Sequence, residues 1–254
     1  MGETGSGRRT PAQFLTAPAP QPQPSRLLFG RRRGRALRPG QKTLITGLLP
    51  QLAVRIPASG CLDPGILFGA ARRSIWLEIG FGGGEHLAQQ AERHPQVGFI
   101  GCEVFENGIV KLLAQIEQRR VDNIRIFADD ARLLIAALPP ASIDRVFILF
   151  PDPWPKRRHH KRRLVLRETL DVLAEIMTDG AELRAATDDG DYLGWILERL
   201  TGHGAFEWLA RRPGDWRERP ADWPPTRYEQ KARAAGRSPA FLCFRRRPRT
   251  TIMN

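Results

Sequence analysis

An α/β fold on a mostly parallel sheet is expected for this chain of 254 residues, and three features point to it. From Arg72 onward, short β-rich apolar runs alternate with helical stretches, the pattern of βα units. The first run ends in a glycine-rich turn, Gly80-Phe-Gly82-Gly83-Gly84. Acids stand at the ends of the first three runs, where ligands lie across the carboxyl ends of parallel strands. At about 150 residues per domain, the length allows one large domain or a domain with an appendage.

The elements follow in order. Ser74–Ile79 reads as a buried strand and residues 83–92 as the helix after it. Val97–Cys102 is the next strand, and residues 106–118 form a helix with Ile109, Leu112, Leu113 and Ile116 on one face. Residues 124–128 and 145–150 are two more strands. A helix is expected over 163–177, with Leu166, Leu170, Leu173 and Ile176 at spacings of three and four and Gly180 ending it. Residues 182–187 make a fifth strand and 192–200 a helix, and 206–210 with 240–244 offer a closing pair of strands. The count is about seven strands, with no internal repeat.

Residues 1–42 differ in composition. Residues 17–25 read Ala-Pro-Ala-Pro-Gln-Pro-Gln-Pro-Ser, which favours polyproline II or coil. The same 42 residues hold nine Arg or Lys against one acid, Glu3. They are expected to be a disordered basic tail, with the folded domain over 43–254. The whole chain has 40 Lys or Arg, 27 Asp or Glu and a net charge of +13, which points to a polyanionic partner, nucleic acid before an anionic membrane surface. The longest apolar run, residues 146–150, falls far below the ~18 residues of a membrane span. Arg8-Arg9 has no apolar segment after it, so export is not expected. Three widely spaced cysteines without a C-x-x-C exclude a disulfide framework or cysteine zinc site and suit a reducing cytoplasm.

The glycine turn narrows the ligand. A dinucleotide fingerprint would need glycine at position 85, where Glu85 places negative charge at a helix N-terminus and disfavours a pyrophosphate. S-adenosylmethionine has no phosphate and carries a sulfonium and an ammonium, so acids around the turn suit it. Glu103 ends the second strand, where an acid can accept both ribose hydroxyls. Asp129-Asp130 ends the third, within reach of an adenine amine. Each acid alone fits a helix cap or solvated loop; together around one glycine turn they point to a cofactor site.

After the fourth strand comes Phe150-Pro-Asp152-Pro-Trp154-Pro-Lys156-Arg-Arg-His159-His160-Lys-Arg-Arg163. Three prolines in five residues stop helix and ladder, holding Asp152 and Trp154 in an extended turn. An acid beside an aromatic can read a base edge while the ring stacks on its face. Six Lys or Arg in the next eight residues suit phosphates beside a base pocket. The bland alternative is a proline-capped strand end before a solvated basic helix.

Residues 77–85, residues 150–163, and Thr226-Arg227-Tyr228-Glu229-Gln230-Lys231 with Gly236 together resemble the bacterial tRNA (guanine-N7)-methyltransferase family, over roughly residues 30–246. The resemblance implies a class I, Rossmann-like methyltransferase fold with a seven-stranded, mostly parallel sheet and helices on both faces. It implies that Glu78, Gly80, Gly82, Glu103 and Asp130 bind S-adenosylmethionine and that Asp152 is the active-site acid. Lys156, Asp188 and Thr226, Arg227, Tyr228 and Glu229 would contact the tRNA or its target guanosine, at position 46 in the variable loop. The Pro-rich tail lies outside the family pattern.

Other readings of these residues stay open. Thr187-Asp188-Asp189-Gly-Asp191 lacks the ligand spacing of a calcium loop and suits a helix cap, with Asp188 facing the pocket. Thr226 followed three residues later by Glu229 is a capping box, compatible with a place at the pocket. His159 and His160 are adjacent and suit phosphate or solvent better than zinc, so no metal is expected. A methyltransferase acting on an exocyclic base amine, a nicotinamide oxidoreductase and a non-catalytic RNA-binding protein are the rival functions. No membrane partner is expected, and a monomer is favoured.

Overall fold

The computed structural model describes residues 31–68 and 72–250. Seven strands form one sheet in the order β3-β2-β1-β4-β5-β7-β6. They are β1 (Ser74–Ile79), β2 (Val97–Cys102), β3 (Ile124–Phe127), β4 (Ile143–Leu149), β5 (Met177–Thr187), β6 (Phe206–Trp208) and β7 (Ala240–Arg246). The first five run parallel, and β7 lies antiparallel between β5 and β6. The order reverses between β1 and β4, so a crevice opens at their carboxyl ends.

Before the sheet come α1 (Pro39–Thr43), a π-helical turn (Leu44–Leu48), α2 (Leu49–Leu52) and α3 (Pro64–Phe68). Within it lie α4 (Glu85–Arg93), α5 (Glu106–Arg119), α6 (Ala131–Ala137), α7 (Arg167–Ile176) and α8 (Gly190–Thr201), followed by α9 (Gly214–Arg217) and α10 (Arg227–Ala234). Period-2 alternation sends the apolar residues of each strand to both faces, giving two cores. Leu77, Ile100, Val146 and Leu183 pack with Leu134, Leu170 and Ile196. Trp76, Phe99 and Phe147 pack with Leu87, Leu112 and Trp223, and Leu44, Leu48 and Leu52 lie against that second core. No helix among the described residues is long and apolar enough to cross a membrane.

Several boundaries differ from expectation. The helix placed at 163–177 begins only at Arg167, and the basic run before it forms a 3-10 helix, Arg157–Arg162. Gly180 does not end that helix: it sits inside β5 at φ 83°, where the register against β4 shifts. A glycine tolerates that left-handed bulge at no steric cost. Helix α6 stands where the sequence predicts no element; Asp130 caps it, accepting from the Arg132 N–H at 3.0 Å.

Residues 32–35 of the basic tail are hydrogen-bonded to the domain. The Arg32 carbonyl accepts the Glu106 N–H at 2.9 Å, satisfying a donor of the first turn of α5 that has no partner within its helix. Asn107 Oδ1 accepts the Gly34 N–H at 2.7 Å, and its Nδ2 donates to the Arg35 carbonyl at 2.9 Å. Residues 1–30, with the Pro-rich run at 17–25, lie outside the described residues.

Candidate active site

The cleft at the carboxyl ends of β1, β2, β3 and β4 is lined by Gly80, Glu103, Asp129, Asp130, Asp152 and Trp154, with Arg132 and Arg162 at its rim. At Gly80 the chain turns with φ 74°, and a Cβ there would meet no atom within 4 Å, so the turn faces open space. Glu103 holds this turn in shape. Its Oε2 accepts the Gly82 N–H at 2.8 Å, and its Oε1 accepts those of Val104 and Phe105 at 2.8 and 3.0 Å. Burial raises its carboxyl above the usual range; the three amides pull it back, and the negative charge of Asp152 pushes it up again. Asp129 pairs with the Arg32 guanidinium at 2.7 Å, so the arm before α1 reaches into the cleft wall.

The Pro-Asp-Pro-Trp-Pro turn forms the mouth. Phe150 and Trp154 both hold positive φ, 50° and 45°, on either side of Asp152. Left-handed backbone at such residues costs on the order of 1–3 kcal/mol each and persists only where the surroundings impose it. Asp152 accepts no hydrogen bond among the described residues, and crowding by the protein raises its carboxyl above the usual range. Arg162 lies over the Trp154 ring at 5.0 Å, and His159 meets its edge at 5.9 Å.

The segment opening α10 closes a third side. Thr226 accepts the Glu229 N–H at 3.1 Å as the cap of α10. Glu229 does not complete a reciprocal box; its buried carboxylate pairs with Arg219 at 3.1 Å and Arg233 at 3.0 Å. Between them, Arg227 and Tyr228 project to the glycine turn. A Cβ on Gly82 would lie 2.7 Å from Tyr228 Cε2, and the tyrosine ring stacks on Phe150 at 6.4 Å and 21°. Arg227 donates to the Tyr228 hydroxyl at 3.1 Å and approaches Glu85 at 3.8 Å.

The structure therefore brings Gly80, Glu103, Asp130 and Asp152 around one cleft, and sets Tyr228 against Gly82 and Arg227 near Glu85 at the glycine turn. Glu78 differs from expectation: it is buried and does not line the cleft, because strand alternation turns its carboxylate to the other face, where His86 Nδ1 lies 2.7 Å away. Lys156 is exposed at the start of the 3-10 helix. Asp188 is held by Arg237 at 2.6 Å, while Asp189, not Asp188, caps α8. Thr226 and Glu229 serve the helix itself. Sequence reasoning missed the pairing of Asp129 with Arg32, the place of His86 beside Glu78, and the full burial of Arg163. Among the described residues no three His, Cys, Asp or Glu side chains cluster to hold a metal ion.

Comparison with known proteins agrees with this architecture. A family model described as "Putative methyltransferase" matches residues 72–242. The tRNA (guanine-N(7)-)-methyltransferase of Rhodospirillum rubrum is 52% identical over 224 residues, covering 87% of this chain and 88% of that protein. The protein of the same name from Paramagnetospirillum magneticum is 53% identical over 223 residues, 87% of this chain and 93% of its own. Among solved structures, the 16S rRNA methyltransferase KamB superposes with a TM-score of 0.52 at 15% identity, over 75% of this chain and 96% of that one, a likeness of fold. Identity at this level, over nearly the whole of each relative, places the chain in the tRNA (guanine-N7)-methyltransferase family.

Proposed function

We propose that this protein transfers a methyl group from S-adenosylmethionine to N7 of guanosine 46 in the variable loop of tRNA, forming 7-methylguanosine in the cytoplasm. The observation that carries the reading is the Asp152 carboxylate, which has no hydrogen-bond partner among the described residues and lines an acid-rich cleft with Trp154 and Gly80.

The cleft suits the cofactor. The open space over Gly80 admits a ligand against the backbone, and Glu103, Asp129, Asp130 and Asp152 outnumber the two arginines lining it. That surplus of negative charge favours a sulfonium and an ammonium. When bound, S-adenosylmethionine supplies an electrophilic methyl group. Glu103 would take the ribose hydroxyls while keeping the loop amides, and Asp130 the adenine amine. Glu78, assigned to the cofactor by the resemblance, is held by His86 at 2.7 Å.

N7 of guanine has an in-plane lone pair and carries no proton, so no general base is required, and rate depends on position and electrostatics. A carboxylate at Asp152 accepts from guanine N1–H and N2–H and offsets the positive charge that grows on the purine. Adenine presents an acceptor at N1 and is repelled. Lys156 and the exposed arginines of the 3-10 helix would meet phosphates, while Arg227 and Tyr228 would flank the target base. Asp188 would reach the RNA once Arg237 releases it.

Purified protein, labelled S-adenosylmethionine and unmodified tRNA should yield 7-methylguanosine on nucleoside analysis. Asp152→Asn should lower kcat on the order of a hundredfold while sparing cofactor affinity, because the lost charge acts mainly on the cationic transition state. N2-methylguanosine or N6-methyladenosine as the product would overturn the assignment.

A further inference from the structure

The basic run after the Pro-Asp-Pro-Trp-Pro turn divides in two. Lys156, Arg157, Arg158 and Lys161 are exposed, as a phosphate-binding surface requires. Arg163 has no exposed surface at all. Its guanidinium lies between two rings, 5.0 Å from Tyr192 and 4.6 Å from Trp195, both on α8. Nε donates to the carbonyl of Pro153 at 2.7 Å, the residue directly after Asp152. Nη2 pairs with Asp191, and Nη1 is buried without a hydrogen-bond partner.

A buried cation with an unsatisfied donor is a poor device for stability alone, since desolvation of the charge and the orphan N–H both oppose it. What it does achieve is to tie the turn to the sheet's flank. Between Phe150 and Trp154, both in left-handed conformations, Arg163 makes the one side-chain hydrogen bond to turn backbone among the described residues. A planar fork gripped by two aromatic faces fixes that carbonyl in direction as well as distance.

We propose that Arg163 is a positioning residue: by holding the Pro153 carbonyl from α8, it sets the angle at which Asp152 meets the target base, and it contacts no phosphate. The proposal rests on the reading of Asp152 as the acid that serves methyl transfer. It separates Arg163 from its exposed neighbours, which bind RNA by charge.

The test is a double-mutant cycle on the full chain, measured with S-adenosylmethionine and unmodified tRNA in single turnover. Arg163→Gln should lower the rate about tenfold while the cofactor Kd changes less than about twofold, because a misplaced group costs rate before it costs binding. In an Asp152→Asn background the same substitution should cause no further loss, since residues acting as one unit are not additive. Asp191→Asn, which loosens the guanidinium without emptying its site, should give a smaller fall that also vanishes in the Asp152→Asn background. This pair decides the matter alone if Arg163→Gln does not fold. The slope of log affinity for tRNA against log salt should be unchanged by Arg163→Gln, whereas Arg157→Gln with Lys161→Gln should reduce it by roughly 0.7–0.9 for each phosphate these side chains neutralise. Rate losses that multiply undiminished with Asp152→Asn, or a reduced salt slope for Arg163→Gln, would overturn the proposal. Absence of 7-methylguanosine from the wild-type reaction would instead overturn the reading on which it rests.

Discussion

Replacing Gly82 by alanine tests whether the cofactor turn and the start of α10 are one packed unit. Gly82 sits at φ 58°, where an L-residue costs about 1–2 kcal/mol. The added methyl would lie 2.7 Å from Tyr228 Cε2, 2.9 Å from its hydroxyl oxygen and 3.3 Å from Cζ. Carbon atoms settle about 3.5–4.0 Å apart, so the ring must retreat by roughly 1 Å. Retreat pulls Tyr228 off its stack on Phe150, and such a stack contributes about 0.5–1.5 kcal/mol. Together these terms give a loss of about 2–3 kcal/mol for Gly82→Ala. With Tyr228→Ala already present, no ring remains to displace, and the same substitution should cost only the backbone term, about 1 kcal/mol less. Urea unfolding of the four proteins of the cycle measures this directly. Purely additive losses would show that Tyr228 is not packed on the turn and would refute the account of that wall.

Two further outcomes follow from charge. Burial raises both Asp152 and Glu103, so acidification through a range above that of ordinary carboxylates should protonate them and lower kcat/KM. Stability runs the other way: their raised folded pKa values favour the protonated native state, a contribution present at low pH and lost as pH rises through those values. The pH–rate profile of Asp152→Asn should therefore lose part of the acid limb; an unchanged limb would exclude Asp152 from that titration. In the arm before α1, replacing Arg31, Arg33, Arg35 and Arg38 by Gln should flatten the salt dependence of tRNA binding by roughly 0.7–0.9 for each phosphate the arm neutralises. Arg32→Gln, whose guanidinium is committed to Asp129, should leave that slope near wild type and alter cofactor affinity instead. Filter binding across a salt series separates the two, and equal slopes for all variants would mean the arm meets no phosphate.

The sheet is legible in the sequence because its strands are buried on both faces and therefore read as near-continuous apolar runs between glycine and proline punctuation. Glu103 and Asp130 are legible from their places at strand ends. Arg163 is not, because a run of like charges looks uniformly solvated, and only the rings of Tyr192 and Trp195, far along the chain, distinguish its last member. The burial of Glu78 against His86 depends likewise on which face of β1 meets α4. The first helices do leave a signal: Leu44, Ile45, Leu48, Leu49 and Leu52 recur at helical spacing and pack on the second core. The basic residues before them overshadow that pattern. Helix α6 is hidden because Asp130 reads first as a ligand acid, although an acid before Ala-Arg-Leu-Leu is also a helix start.

The position of β7 between β5 and β6 has a consequence for how the chain is made. The strand makes six pairings with β5 and three with β6, yet it follows both in the chain. Until it leaves the ribosome, β5 presents an open edge and β6 has no neighbour, while β1, β2 and β3 can already pair. Unpaired edges recruit other chains, so the nascent protein is exposed to aggregation until β7 has been made. Arg246 and Arg249, both ion-paired to Asp179 in β5, then fasten the late strand beside its partner. A chain cut short before Ala240 would keep its cofactor cleft nearly complete in sequence and yet lack the strand that closes its sheet.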